Sequence, residues 1–132
     1  MTYTLTDTQV FEALTKLVEE DPGKVYKSPD EFGQCLYVHS DEEGKRVPGC
    51  IVGTVLNRLG VPLEELEKHE GNAAAAVIEN AEIQGLSYDM VSLLRNVQRY
   101  QDSGCDWNLA LDAAKRQSPA LMRSLTHTLE TV

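Results

Sequence analysis

The segment Pro48-Gly49-Cys50-Ile51-Val52-Gly53-Thr54-Val55-Leu56-Asn57-Arg58-Leu59-Gly60-Val61-Pro62 constrains this chain more than any other. Ile51, Val52, Val55, Leu56 and Leu59 recur at helical spacing, so they form one apolar stripe of a short helix over 49–59 and the predicted centre of the core. Pro48-Gly49 stands before it and Gly60 after it, the positions where such residues delimit a helix. A strand-like Cys35-Leu36-Tyr37-Val38-His39 precedes the segment, and Pro62 opens a second short helix through His69, closed by Gly71. This pattern specifies architecture and carries no catalytic signature.

The flanking sequence is mostly helical. Thr6 and Gln9 have capping-box spacing ahead of Val10, Phe11, Leu14, Leu17 and Val18, and Asp21-Pro22-Gly23 ends that helix. Val25-Tyr26-Lys27 and Cys35–His39 are the strand candidates, and the polar turn Ser40–Arg46 follows the second. Asn72 is placed to cap Ala73–Ile78, and Ser87 to cap a helix to Gln101 with Tyr88, Val91, Leu94 and Val97 inward. Asp106 caps Trp107 to Arg116, and Ser118-Pro119 restarts a last helix carrying Leu121, Met122, Leu125 and Leu129. The expected fold is α+β and mostly α, with five to six helices packed with a small two-stranded antiparallel β-hairpin. It forms a single domain over 1–132, in which 119–132 is a docking or dimerisation helix: the narrow Leu121, Leu125, Leu129 row suits either its own core or a homodimer seam.

Charge is uneven. The chain of 132 residues has a net charge of −9. Residues 1–82 hold 16 acidic and 7 basic side chains, whereas residues 83–132 hold 5 of each. Cationic side chains supply most non-specific nucleic-acid affinity, so this balance argues against a general DNA or RNA binder; it permits a basic protein surface as partner, or a surface that imitates DNA, and it also serves simply to keep the chain in solution. No apolar run approaches the roughly 20 residues needed to span a bilayer, and Met1–Asp7 lacks the basic and apolar regions of a signal peptide. Three cysteines without an even pairing point to a reducing, cytoplasmic setting.

Candidate chemistry is sparse. Cys35, His39, Cys50 and Cys105 are zinc-ligand types, but no two cysteines stand in the tight C-x₂₋₄-C spacing of structural sites, so no metal or other cofactor is expected. Cys50 sits in the first turn of the 49–59 helix, where the dipole favours a thiolate, and His39 lies across the turn; this pair is the basis for a small cysteine- or metal-dependent enzyme. The acidic runs Asp41, Glu42, Glu43 and Glu64, Glu65, Glu67 are the candidates for partner binding, with Glu64 and Lys68 spaced as a helix-surface pair. The helices 87–102 and 106–116 have the outline of a helix-turn-helix with Arg95, Arg99, Lys115 and Arg116, yet the neutral balance of that region offers little attraction to phosphate. No Gly-rich phosphate loop, G-x-S-x-G or H-E-x-x-H occurs.

The segments Tyr37-Val38-His39, Gly49-Cys50-Ile51-Val52-Gly53-x-x-Leu56-x-Arg58-Leu59-Gly60-Val61 and Gln98-x-x-Gln101-Asp102-x-Gly104-x-x-Trp107-x-x-Ala110-Leu111 resemble a group of small uncharacterised proteins of actinobacteria and the phages that infect them. The resemblance spans residues 25–114 and carries over no catalytic residue. It implies a setting, the bacterial cytoplasm during phage infection, and with it a host or phage protein as partner. The expectation is therefore an acidic, non-catalytic protein-binding factor.

Overall fold

The central apolar stripe is the centre of the core: Ile51, Val52, Val55 and Leu56 are fully buried, and Leu59 packs against them at the edge. A computed structural model describes residues 2–28 and 36–130, with side chains through Leu125. Its elements are β1 (Tyr3–Thr4), α1 (Asp7–Glu20), β2 (Val38–Ser40), β3 (Arg46–Pro48), α2 (Ile51–Arg58), α3 (Leu63–Glu67), α4 (Ala74–Asn80), β4 (Ile83–Gln84), α5 (Tyr88–Asp102), α6 (Trp107–Arg116) and α7 (Pro119–Glu130). The architecture is α+β and mostly α. Seven helices are present among the described residues, slightly more than the five to six expected.

The antiparallel hairpin is present with a different partner strand. β2 pairs with β3 in the register Val38↔Pro48, His39↔Val47 and Ser40↔Arg46, so the polar run 41–45 is its turn. Asp41 Oδ1 accepts the amides of Glu43 and Lys45, each at 2.9 Å, and this side-chain-mediated turn sets the register locally. Val25–Lys27 is not its partner. Only Val25 bridges, to Asp106, because the carbonyls around it serve the start of α6: Trp107 N donates to Lys24 O at 2.9 Å and Asn108 N to Pro22 O at 3.0 Å. A second, parallel pair joins Tyr3↔Ile83 and Thr4↔Gln84. Two-residue strands are too short to show alternation in the sequence.

Local caps at Thr6, Ser87 and Asp106 form as the sequence predicts, including the reciprocal capping box between Thr6 and Gln9. Two other helix starts are capped from a distance. Cys50 and Ala73 occupy the N-cap positions of α2 and α4 without a side-chain cap, so Asn72 does not cap α4. Gln101 Oε1 instead accepts the Ile51 amide at 2.8 Å and the Trp107 indole N–H at 3.1 Å. Gln98 Oε1 accepts the Ala74 amide at 3.0 Å, and its Nε2 donates to the Tyr37 hydroxyl at 3.1 Å. Both amides lie on the buried stripe of α5, among Met90, Leu93, Leu94 and Val97. Tyr88 is 81% exposed rather than inward, because it stands two residues from Met90, roughly 200° around a helix that turns about 100° per residue.

α7 lies on α6, and Leu121 and Leu125 are buried in the chain's own core. The side chain of Leu129, the third of the row, is outside the described residues.

Leu56→Ala is expected to cost about 2–5 kcal/mol in a urea titration, the range for buried large-to-small changes. Gln101→Leu keeps side-chain volume but strands the Ile51 amide and the Trp107 indole N–H, at about 1–3 kcal/mol for each stranded donor. A loss below 1 kcal/mol for either variant would place that residue outside the interior framework.

Candidate functional site

Two acidic runs that are 20 residues apart in sequence meet on one edge of the fold. α3 packs on both hairpin strands, and Arg46 Nε of β3 lies 3.2 Å from Glu67 Oε1 of α3. Glu70, just beyond α3, fixes the join: its carboxylate accepts the backbone amides of Tyr37 at 2.6 Å and Val38 at 3.3 Å. Burial pushes the Glu70 carboxyl above the usual range, against the downward pull of those two amides, and the charge of Glu67 adds to the rise. The Tyr37 hydroxyl, in turn, donates to the carbonyl of Asn72 and receives Gln98, tying the start of β2 to α4 and α5.

The carboxylates of this edge divide by use. Asp41 forms the turn, Glu67 pairs with Arg46, Glu70 holds β2, and Glu65 lies 3.3 Å from both Lys68 Nζ and His69 Nε2. The hydrogen bonds from His69 and Lys68 hold the Glu65 carboxyl below its usual range. Lys68 thus pairs with Glu65 and not with Glu64, because the tight turn ending α3, in which the Lys68 amide bonds Glu65 O, brings residues three apart together. Glu42, Glu43 and Glu64 are exposed and make no ion pair among the described residues. Glu64, in the first turn of α3, stands about one turn before Glu67.

Cys50 follows Gly49 in the chain, and the His39 ring lies against that glycine. Cys50 is the N-cap residue of α2, which starts two residues later than the sequence suggests, and its side chain is fully buried. The His39 ring lies over Gly49, where an added Cβ would stand 2.5 Å from His39 Cδ2 and 2.3 Å from Leu36 O. His39 Nε2 is 2.7 Å from the Tyr26 hydroxyl, which also receives the Leu36 amide at 2.9 Å. Burial holds the imidazole below its usual pKa, and the Lys24 charge lowers it further. Cys35 lies outside the described residues, and Cys105 is partly exposed in the α5–α6 turn. No three His, Cys, Asp or Glu side chains are grouped to hold a metal ion among the described residues.

α5 and α6 pack extensively on one another through the turn that suggests a helix-turn-helix. On α6, Arg116 is engaged by Asp112, and the Lys115 ammonium lies 5.8 Å from the Phe11 ring centroid. The opposite flank of α1 carries a groove of about 440 Å³ lined by Phe11, Glu12, Thr15, Lys16 and Glu19. No helix among the described residues is long and apolar enough to cross a membrane. No family model matches the chain, and no curated protein or solved structure matches it either.

The sequence located the two acidic runs and missed Glu70, Gln98 and Gln101, which hold their supporting elements together. A glutamine recurring on an otherwise apolar helical stripe, as Gln98 and Gln101 do beside Leu94 and Val97, was the available signal.

Because the folded pKa of His39 is lowered, the neutral ring stabilises the fold fully above the unfolded value of 6.5, and this stability is lost as pH falls through the folded pKa. Glu70 acts in the opposite sense: its raised pKa contributes stability below 4.5 that is lost as pH rises through the folded value. Thermal midpoints are therefore expected to fall on acidification from pH 7 toward the folded His39 pKa. His39→Gln, which retains an oxygen for the Tyr26 hydroxyl, should flatten that slope; an unchanged slope would assign it to another group.

Proposed function

We propose that this protein is an acidic, non-catalytic binding factor that takes a basic protein surface on the edge formed by the β2–β3 turn and α3. The observation that carries this reading is the packing of α3, which holds one acidic run, against the hairpin whose turn holds the other, with Glu42, Glu43 and Glu64 making no ion pair among the described residues. Exposed carboxylates held on a fixed frame steer a cationic partner and set its register without reorganising on contact. The carboxylates engaged within the fold keep the frame in shape, and the three unpaired ones face the partner. The resemblance of residues 25–114 to proteins of actinobacteria and their phages makes a host or phage protein in the bacterial cytoplasm the partner class.

The rival chemistries find less support in the geometry. A thiolate nucleophile requires access, and Cys50 has none. A recognition helix requires free cations at a groove-facing surface, whereas Arg116 is bound to Asp112 and the exposed residues near the start of α6 are Asn108 and Leu109.

The test compares the wild-type chain with the triple variant E42K/E43K/E64K as bait in bacterial lysate at low and at raised salt. A protein captured by the wild type at low salt, and weakened at least tenfold by both the triple variant and raised salt, is the expected result. Circular dichroism of the variant should stay close to that of the wild type, since none of the three makes an ion pair among the described residues and only Glu64, in the first turn of the short α3, faces a helix dipole. Folded wild-type protein that captures nothing at low salt, or captures equally well after charge reversal, would overturn the reading.

A further inference from the structure

We draw no further inference here: the strongest candidate, the apolar groove along α1 lined by Phe11, Glu12, Thr15, Lys16 and Glu19, is an unpartnered helix face, and nothing in the structure shows what covers it.

Discussion

Two glutamine side chains of α5 hold the beginnings of other helices, and the rest of the arrangement depends on them. A helix start presents amides that have no partner within the helix, and leaving one buried and unpaired is costly. α2 and α4 begin inside the protein, where water cannot satisfy them. Gln101 meets the first amide of α2 and the indole of Trp107 with one oxygen, while Gln98 meets the first amide of α4 and passes its own N–H to Tyr37. A neutral amide suits this position: it offers an acceptor to the positive end of each helix without the desolvation cost of a buried carboxylate. One face of one helix thereby orients α2, α4, α6 and Tyr37, the residue just before β2.

Close approach makes that orientation specific. Gly53 lies within α2, where glycine costs about 1 kcal/mol relative to alanine. A Cβ there would stand 2.6 Å from the carbonyl oxygen of Tyr37, so the helix can rest on the strand only without a side chain. Just before this helix, the Cys50 amide bonds Leu36 O at 3.0 Å, and the Cys50 side chain is fully buried.

The legible and illegible parts of the sequence separate along this line. Thr6 with Gln9, Ser87 and Asp106 act within three residues of themselves, so spacing alone identifies them. The α2 stripe is equally plain because its spacing is regular and all apolar. The pairing of β2 with β3 was hidden by the charged turn, whose Asp41 contacts carry the information that β-propensity lacks. Asn72 looked like a cap because Asn caps well, and Gln98 took that role from 24 residues away. The every-third row Tyr88, Val91, Leu94, Val97 drifts off the 3.6-residue period, and the buried stripe follows Met90, Leu94, Val97 and Gln101 instead. As for the candidate site, its charges were readable and its shape was not, since adjacency of the two acidic runs follows from a non-local contact between Glu70 and β2.

That contact also determines what the acidic edge can do. A hairpin of three-residue strands is too short to be rigid alone. Glu70 binds its first strand, Arg46 binds Glu67, and Tyr37 anchors the whole to Gln98, so the turn projects from a fixed base. The opposed pulls on the Glu70 carboxyl, burial against two amide bonds, locate its role inside the frame and not at the exposed surface. Arg46 and Lys68 are taken up by Glu67 and Glu65, whereas Glu42, Glu43 and Glu64 stay exposed with no ion pair among the described residues, so the inward carboxylates are spent on the frame and the outward ones are not.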